Sequence, residues 1–399
     1  MRKVRSRSPT STLPVVLLLA LAAPVACAAE DADNDGVTGT LGGRLHWDFA
    51  QFENDNRGTP NADDTEVRRL ALDLSGQIHG LEYTIEANFS DLEHDASVEA
   101  VEAWDVLVGK SFGAGKLTVG QFKQHFTLDD RISSNYGVFL ERSLFAQTLA
   151  PLYRLGAAWL TARDAYTVGG SAYSLESIDE WRIKGRAVAG RGTWAPRHDA
   201  GRVIHLGLSA AHEDYYHPGR DGAPALRIRP RPAGHLSNES RLTLIDFGSG
   251  RDTDVDKTSL EFAAVRGPLH VQAEIGDARF DDGVQSGRID SAYGVVSWFI
   301  TGESMPYAAG RFGRVKPLHR TGAWQLALRH DTIRGRQNLR GVADFSDASI
   351  EATTAAVNWH LRSNLRLLLD WTSSRNRDHL RGLTLDRTQA LTGRFQYDF

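Results

Sequence analysis

Three groups of arginine residues offer the clearest chemistry in this sequence. In the first group, Arg227, Arg229 and Arg231 alternate with Ile228 and proline in a long polar stretch. Proline holds the backbone extended and cannot donate to a sheet, so we predict an extended loop outside any sheet, with guanidinium groups about 6–7 Å apart on one side. Guanidinium groups bind phosphate-like oxyanions through planar, multidentate hydrogen bonds. This run is therefore a candidate ladder for anions, and a solvated loop without such a role is the alternative.

The second and third groups lie in predicted strands. Arg68 and Arg69 begin one strand, where we expect one of the two side chains to face the interior, and Arg44 lies on the polar face of another strand. These side chains could bind anions, or they could pair with the protein's own carboxylates. The carboxylates available for such pairing are Asp48, Glu82 and Glu86.

Signatures of catalysis and of metal binding are weak. The stretch 169–173 lacks the second glycine of a nucleophile elbow. The 14 histidines are scattered rather than grouped at ligand spacing. Residues 31–36 resemble the first half of a calcium loop, but Gly42 stands where the bidentate glutamate belongs. We therefore predict no enzyme activity, no catalytic residues, no metal and no cofactor.

Alternation with a period of two indicates the elements that position the arginines. In the last nine residues, 391–399, odd positions are apolar or glycine and even positions are polar or charged, so a strand would separate the two sets onto opposite faces. The same alternation recurs at 44–49, 69–74, 81–90, 205–209, 270–275, 324–329, 357–361 and 365–371. One apolar face and one polar face per strand is typical of a transmembrane β-barrel. An exported antiparallel sandwich is the alternative, although Arg, Glu and His in mid-strand favour a hydrated lumen.

The N-terminus predicts export. Residues 1–28 combine four basic residues, a short apolar stretch and a small-x-small cleavage site, which together make a secretory signal peptide. Removing them changes the formal net charge from −4 to about −8. The one cysteine, Cys27, falls inside this segment, and a lipidated Cys27 is the alternative interpretation.

The remaining length fits one closed barrel. Mean hydropathy is −0.35, and no later stretch reaches the roughly 20 apolar residues of a transmembrane helix. We predict an acidic, flexible N-terminus at 29–40, followed by a single domain at 41–399. This all-β domain is expected to be a 16-stranded antiparallel transmembrane barrel, with short periplasmic turns and long extracellular loops, some folded into the lumen. An exported acidic barrel also makes nucleic acid an improbable partner.

Several blocks resemble the phosphate-selective porins of the porin O/P family, and they follow one another along nearly the whole chain. They are 41–52, 68–72, 119–128 (Val-Gly-Gln-Phe-Lys-Gln-His-Phe-Thr-Leu), 133–135, 140–144, 205–208, 227–231, 300–304 (Ile-Thr-Gly-Glu-Ser) and 312–317 (Phe-Gly-Arg-Val-Lys-Pro). The resemblance implies a homotrimer of barrels in the outer membrane of a Gram-negative bacterium. It also implies that the terminal Phe399 is a recognition signal for the barrel-assembly machinery.

The resemblance implies roles for particular residues as well. It assigns the run Arg227, Arg229 and Arg231 to an anion entry ladder, and it assigns Arg44, Arg68 and Arg69 to a basic constriction. Three positions depart from the family pattern. Asn135 and Glu82 stand where lysines are expected, and His235 stands where the ladder would continue. Losing these cations should weaken a desolvated phosphate site.

We therefore predict passive diffusion of small anions such as phosphate, pyrophosphate, polyphosphate and chloride through a barrel surrounded by outer-membrane lipid. The predicted anion-binding or pore-lining residues are Arg44, Arg68, Arg69, Arg227, Arg229, Arg231 and Asn135. The alternatives are a general small-solute porin without phosphate selectivity, an outer-membrane barrel enzyme and a closed structural barrel.

Overall fold

Alternating strands close into a single antiparallel barrel of 16 strands in this computed structural model. The structure describes residues 36–55, 57–93 and 101–399. The predicted signal peptide and most of the predicted N-terminal segment therefore lie outside the described residues. The first strand begins at Val37, so the end of the segment 29–40 is part of the barrel.

The wall strands are joined by connections, and two of these connections each contain a small two-stranded hairpin. The elements are β1 (Val37–Asn54), β2 (Asp64–Ile78), β3 (Leu81–Asn88), a 3-10 turn (Ser90–Glu93), β4 (Glu102–Phe112), β5 (Gly115–Lys123), α1 (Leu128–Arg131), α2 (Leu144–Leu149), β6 (Tyr153–Ala162), β7 (Tyr166–Ser174), β8 (Lys184–Asp199), β9 (Arg202–Tyr216), β10 (Leu226–Ile228), β11 (Ile245–Phe247), β12 (Thr253–Arg266), β13 (Leu269–Asp281), β14 (Gln285–Phe299), β15 (Tyr307–Ala308), β16 (Arg311–Phe312), β17 (Ala323–Leu339), β18 (Asp344–Arg362), β19 (Leu365–Asp378) and β20 (Leu383–Asp398). The hairpins are β10–β11 and β15–β16, and the other strands form the wall.

The last strand closes the wall against the first, as expected for the closed barrel that the family resemblance implies. Arg44 lies opposite Asp398, and the pairing continues to Asn54 opposite Thr388. In the last eight residues of β20, Thr392, Arg394, Gln396 and Asp398 are buried toward the lumen, whereas Leu391, Phe395 and Tyr397 belong to the outward face. Since this parity holds around the wall, the outside is apolar and the inside is polar. Within the described residues, no helix is long and apolar enough to cross a membrane.

The two ends of the barrel differ in their connections, with exceptions on both sides. At the end that holds both termini, most connections are tight, such as 79–80 and 363–364, but the connection 300–322 is long. At the opposite end, 124–152 and 217–252 are long, whereas 282–284, 340–343 and 379–382 are short. The expected asymmetry of short turns and long loops is therefore only partly observed. We call these ends the turn end and the loop end.

Three connections fold into the lumen and pack against the wall: 124–152 and 217–252 from the loop end, and 300–322 from the turn end. The connection 217–252 contributes Leu244, Ile245 and Phe247. The inward loop (124–152) contributes Phe126 and Phe145 to one apolar cluster, which also holds residues from β7, β13 and β14. The turn-end segment (300–322) contributes Met305 and Phe312 to a second cluster, which includes Leu128 of the inward loop. These apolar contacts bring two non-wall segments together inside the barrel.

Candidate functional site

Wall carboxylates fasten the inward loop through its backbone. A carboxylate that accepts from main-chain N–H groups fixes the loop without needing a basic side chain. Glu274 accepts from Leu128 and Asp129 at 2.7 and 2.9 Å, Asp370 accepts from Leu140 at 2.9 Å, and Asp331 accepts from Leu144 at 2.9 Å. The loop therefore has one fixed position across the lumen, from which its side chains can form a site.

Three lumen-facing arginines of the wall donate to carbonyl groups of the same loop. Arg329 donates to the carbonyl of Glu141, Arg394 donates to that of Leu140, and Arg366 donates to that of Gly137, at 2.9, 2.6 and 2.8 Å. These arginines were not among the predicted site residues. Their lumen parity was the available signal, since each alternates with lipid-facing residues of its strand. These three arginines hold the inward loop in place. Arg329 also lines the narrower of two cavities that are described below.

A β-bulge turns both Arg68 and Arg69 toward the interior. In the register of β1 and β2, His46 lies opposite Arg69, whereas the next residue, Trp47, lies opposite Val67. Arg68 is the extra residue, and a bulge of this kind places two consecutive side chains on the same face. The expectation that only one of the two arginines faces the lumen is therefore wrong.

Arg68 belongs to a buried ion-pair network. Its guanidinium group contacts both carboxylate oxygens of Glu141 at 2.8 and 3.2 Å. Arg394 contacts the same carboxylate at 2.9 Å and also pairs with Asp48 at 2.6 Å. Burial alone would raise the pKa of Glu141, but the charges of Arg68 and Arg394 hold this pKa well below its ordinary value. The guanidinium group of Arg68 is thus occupied by an ion pair that holds the inward loop in place.

Arg69 has a different environment. Its guanidinium group lies 3.3 Å from Nδ1 of His46 and 5.9 Å from the ring centre of Trp104. Within the described part of the chain, no carboxylate lies within ion-pair distance of Arg69. It is therefore the least compensated of the three predicted wall arginines.

Arg44 is compensated by a carboxylate. It forms an ion pair with Glu86, donates to the hydroxyl of Ser134 at 3.1 Å and lies 5.5 Å from the ring centre of Trp104. The pairing with Glu86 is one that the sequence offered as an alternative to anion binding. The contact with Ser134 also places Arg44 beside the inward loop.

The three departures from the family pattern each have a local partner. Asn135 Oδ1 lies 3.1 Å from Nε2 of His46. Glu82 pairs with Lys116 at 2.6 Å. His235 pairs with Glu66 at 2.8 Å. Asn135 and Glu82 do not line the larger cavity described next, although Lys116 does.

A cavity of about 290 Å³ lies between the wall and the inward loop. Basic and acidic side chains line it unequally. The basic ones are Arg44, Lys116, Lys123, Arg131 and Arg311, and the acidic ones are Glu86, Asp105 and Asp130. Ser133 and Ser134 line this cavity and also a narrower one of about 40 Å³, which Arg69 and Arg142 reach. The two serines therefore connect two arginine-lined spaces.

Arg131 and Arg311 are the two cations of the larger cavity without an ion-pair partner among the described residues. Arg131, in α1 of the inward loop, donates to the carbonyl of Lys123 at 2.7 Å. Burial and the like charge of Arg311 lower the pKa of Arg131 to about 10. The pKa of His125 is lowered to about 3 by burial and by the charges of Arg131, Arg191 and Arg311. This histidine is therefore neutral at pH 7. The lumen thus holds a region of uncompensated positive charge.

Lys123 and Arg142 are compensated, in contrast. Lys123 pairs with Asp130 at 2.9 Å, and Arg142 lies 3.5 Å from the same carboxylate. Burial opposes the charged form of Asp130, but Lys123 and Arg142 outweigh it and lower the pKa of Asp130. Both cations stabilise the loop around a buried aspartate.

The run Arg227, Arg229 and Arg231 lies in the connection 217–252 at the loop end. These arginines alternate with less exposed residues, so they share one side of an extended segment, as predicted. Arg227, however, lies within β10 and pairs with Asp246 of β11 at 2.9 Å. The prediction that the run stays outside any sheet is wrong for this residue, because the prolines begin only at position 230 and leave the earlier N–H groups free to pair.

Neither Arg131 nor Arg311 was among the predicted site residues, because no sequence pattern selects them. Arg131 lies next to the predicted anion block but on a helix of one turn, which alternation cannot detect. Arg311 lies in the turn-end segment, and nothing in its neighbourhood indicates that the segment enters the lumen. Across the described ranges, no three His, Cys, Asp or Glu side chains are grouped so that they could hold a metal ion.

Comparison with known proteins adds independent evidence. Residues 40–399 match the family model described as phosphate-selective porin O and P. Porin O of Pseudomonas aeruginosa is 27% identical over 362 residues, which are 82% of this chain and 80% of that protein. An uncharacterized protein of Caulobacter vibrioides is 29% identical, over 77% of this chain and 62% of its own length.

Solved structures share the fold at low sequence identity. A loop L8 deletion mutant of OmpT, an outer membrane protein of Vibrio cholerae, has a TM-score of 0.58 and 11% identity, covering 91% of this chain and 100% of its own. The outer membrane channel DcaP of Acinetobacter baumannii has a TM-score of 0.57 and 9% identity, with 91% and 98% coverage. An anion-selective porin from Comamonas acidovorans has a TM-score of 0.54 and 13% identity, with 91% and 100% coverage. With its closed barrel, its in-folded connections and its match over 40–399, this outer-membrane protein of a Gram-negative bacterium belongs to the phosphate-selective porin O and P family.

Proposed function

We propose that this porin lets small anions diffuse passively through the barrel, with phosphate, pyrophosphate, polyphosphate and chloride as candidate solutes. The observation that carries the proposal is the larger cavity, where five basic side chains face three acidic ones. Arg131 and Arg311 account for the excess of positive charge in this cavity. Lumen side chains set selectivity through the local field, so the overall net charge of −4 does not oppose an anion pathway.

The arginines suggest a stepwise route. An anion arriving at the loop end first meets the exposed Arg227 and Arg229, and then the half-buried Arg231. Burial and the nearby charges of Arg241 and Arg68 lower the pKa of Arg231, which indicates positive potential along this path. Arg69 and the serines of the inward loop would follow. The cavity with Arg131 and Arg311 is the last step toward the turn end.

The same geometry favours a general anion pore over tight phosphate selectivity. Arg44, Lys116 and Lys123 each have a carboxylate partner, which reduces their attraction for a further anion. The side-chain oxygen of Asn135 contacts His46, so this residue does not replace the lysine that the family pattern places there. A pore without phosphate preference is therefore the second candidate function. Phosphate block of chloride conductance separates the two, since tight block requires a central site.

Reversal potentials in planar bilayers test the proposal. Purified protein in a KCl gradient should give discrete current steps and an anion-favouring reversal potential. Arg44→Ala and Arg69→Ala should both reduce this preference, and Arg44→Ala should reduce it more because it leaves Glu86 unpaired in the cavity. Lys110→Ala is a matched control, because Lys110 contacts Phe112 and lines neither cavity. A cation-favouring potential in the wild type contradicts anion passage, whereas absence of conductance indicates a closed structural barrel.

A barrel enzyme is the alternative from another class, and one contact bears on it. Ser349 Oγ lies 2.9 Å from Nε2 of His379 near the loop end of the wall. No such pair was predicted from the sequence. Ser349 is 8% exposed, and both oxygens of the neighbouring Asp347 are hydrogen-bonded to Arg334 instead of to His379. We propose a channel without catalytic activity or cofactor. If the folded wild-type protein hydrolysed lipid and the Ser349→Ala variant did not, this proposal would be contradicted.

Export, assembly and oligomeric state are part of the same proposal. We propose that residues 1–28 are removed on export and that the barrel-assembly machinery reads the strand that ends at Phe399. One solved structure of OmpT from Vibrio cholerae is described as a trimer form, and its fold is shared, which supports a homotrimer here. Cross-linking of the folded protein in membranes tests the trimer, and deletion of Phe399 with measurement of membrane insertion tests the signal.

A further inference from the structure

Trp104 lies inside the barrel beside two of the predicted wall arginines. The guanidinium carbon of Arg44 lies 5.5 Å from the centre of the indole ring, and that of Arg69 lies 5.9 Å from it. A cation is attracted to the face of an aromatic ring at distances up to about 6 Å, and the tryptophan ring attracts it most strongly. Trp104 was not among the predicted site residues. Its ring is nevertheless in contact with two cations that face the lumen.

A β-bulge turns Trp104 toward the lumen. In the register of β3 and β4, Trp104 and Asp105 of β4 lie opposite the single residue Glu86 of β3. A bulge of this kind places two consecutive side chains on the same face. Glu86 and Asp105 both line the larger cavity, so the indole ring lies on their side of the wall.

Two contacts fix the indole ring in place. Its Nε1 donates to the carboxylate of Glu102 at 3.3 Å. The ring also stacks on that of Tyr153, with ring centres 6.1 Å apart and an angle of 14° between the planes. Tyr153 lines the larger cavity, and Nζ of Lys123 lies 5.3 Å from the centre of its ring. The two rings therefore form a fixed aromatic pair beside three basic side chains.

An aromatic ring and a carboxylate affect a guanidinium group differently. A carboxylate cancels the positive charge, whereas the ring is neutral and attracts the cation through its quadrupole, so the charge remains. Arg44 and Lys123 each have a carboxylate partner in addition to a ring. Arg69 has no carboxylate within ion-pair distance among the described residues, and its guanidinium group contacts the ring of Trp104 and Nδ1 of His46. The ring thus supports Arg69 and leaves its charge available to an anion.

Without the ring, Arg69 would lose this position. An arginine side chain has several rotatable bonds, and holding it in one conformation costs entropy that the contact with the ring offsets. Glu141 lines the narrower cavity together with Arg69. A guanidinium group that turned toward this carboxylate would be neutralised, and one that moved freely would present no defined site.

We propose that Trp104 is a positioning residue for anion passage, because its ring holds the guanidinium group of Arg69 in the lumen as an uncompensated cation. The proposal rests on the proposed function, since it concerns an arginine on the anion route. It adds that the selectivity of this route depends on a neutral aromatic side chain as well as on the basic ones.

Coupling between Trp104 and Arg69 tests the proposal. The anion-to-cation permeability ratio is obtained from reversal potentials in a KCl gradient, for folded protein in planar bilayers. Trp104→Leu should lower this ratio about threefold or more, whereas Trp104→Phe, which keeps an aromatic face but not the N–H, should stay within about 1.5-fold of the wild type. In the Arg69→Gln background, Trp104→Leu should change the ratio by less than about 1.5-fold, because the cation that the ring positions is gone.

Trp181→Leu is the matched control. Nζ of Lys184 lies 5.6 Å from the centre of the Trp181 ring, but Trp181 and Lys184 line neither cavity. This control should behave like the wild type. Heat-modifiable migration in gels reports folding. If Trp104→Leu does not fold, Trp104→Met takes its place, because methionine fills much of the same volume without an aromatic face.

Each outcome decides the question. The proposal is supported if Trp104→Leu lowers the ratio, if Trp104→Phe and Trp181→Leu do not, and if Arg69→Gln abolishes the effect of Trp104→Leu. An unchanged ratio in Trp104→Leu, an equal loss in Trp104→Phe or Trp181→Leu, or the full loss in the Arg69→Gln background would overturn it. A cation-favouring wild type would contradict the proposed function instead, because the coupling between Trp104 and Arg69 is measured whichever ion the wild type prefers.

Discussion

Replacing Arg311 by glutamine should weaken anion binding in the lumen with little effect on the fold. Arg311 lies in the turn-end segment, its side chain is exposed to the larger cavity, and none of the described residues forms an ion pair with it. A structural role would require such a partner. The variant therefore removes one charge and leaves no carboxylate unpaired, unlike a substitution at Arg44.

The expected magnitude follows from the position of the charge. A guanidinium group about 4 Å from an anion contributes about 1 kcal/mol in water and about 4 kcal/mol at an effective dielectric constant of 20. Because the side chain of Arg311 is exposed, we expect a value near the lower end, about 1–2 kcal/mol. This corresponds to roughly 5–30-fold weaker phosphate block of chloride conductance. The effect should shrink in 1 M salt, where the screening length is only about 3 Å.

Single-channel recording in planar bilayers gives the measurement. Phosphate is titrated against chloride conductance for the wild type, for Arg311→Gln and for Lys316→Gln. Lys316 is exposed in the same segment and lines neither cavity, so it controls for charge in the segment as a whole. An Arg311→Gln block constant within about twofold of the wild type would refute the idea that uncompensated charge sets the anion affinity. The same loss in Lys316→Gln would show that the effect comes from the general field.

Three further predictions concern the ion pairs and the packing of the inward loop. Glu86→Gln should increase the anion preference measured by reversal potential, because it frees the Arg44 guanidinium, and a decrease would contradict the assigned pairing. Glu141→Gln should lower the free energy of unfolding in urea by about 3 kcal/mol, since it leaves Arg68 buried without its carboxylate. In the folded protein, the pKa of Glu141 lies well below its ordinary value of 4.5. The ion pair therefore stabilises the fold fully above pH 4.5, and this contribution is lost only as the pH falls through the lower pKa of the folded protein. Open-channel current noise in the wild type should therefore stay constant from pH 7 to about pH 5. Phe145→Ala should cost about 3–5 kcal/mol in the same unfolding assay, since this fully buried ring packs the loop against the wall, and a loss below about 1 kcal/mol would mean that the loop is not packed there.

Residue parity was enough to predict the wall of the barrel but not its irregularities. Lipid on one side and water on the other impose a period of two, so the terminal residues were enough to predict β20 and its two faces. The pairing of β20 with β1 followed only from the closed barrel that the family resemblance implies. The bulge that turns both Arg68 and Arg69 inward depends on the pairing register, that is, on which residue of β1 lies opposite each residue of β2. A strand's own sequence carries no information on that register, so the inward direction of Arg68 was missed.

The site depends on contacts that are distant in sequence. Glu274 holds the N–H of Leu128 from 146 positions away, and Asp370 holds that of Leu140 from 230 positions away. Local pattern analysis cannot show which carboxylate meets which loop. The same limit applies to the turn-end segment, which brings Arg311 into the cavity. Arg44, Arg68 and Arg69 could be named in advance, and Glu86 could be named as a candidate partner, but the pairing of Arg68 with Glu141 of the inward loop could not.

The distribution of ion pairs implies that anion affinity and barrel stability depend on different parts of this porin. Arg68 and Arg394 of the wall pair with Glu141, and Arg44 pairs with Glu86, so their removal disturbs both charge balance and packing. Arg131 and Arg311 have no such partners among the described residues and lie on two segments that fold into the lumen. A change of charge at these two positions alters the local field without breaking a strand pair or a buried ion pair. Substitutions at these two positions should therefore change the anion preference of this porin while the 16-stranded wall stays the same.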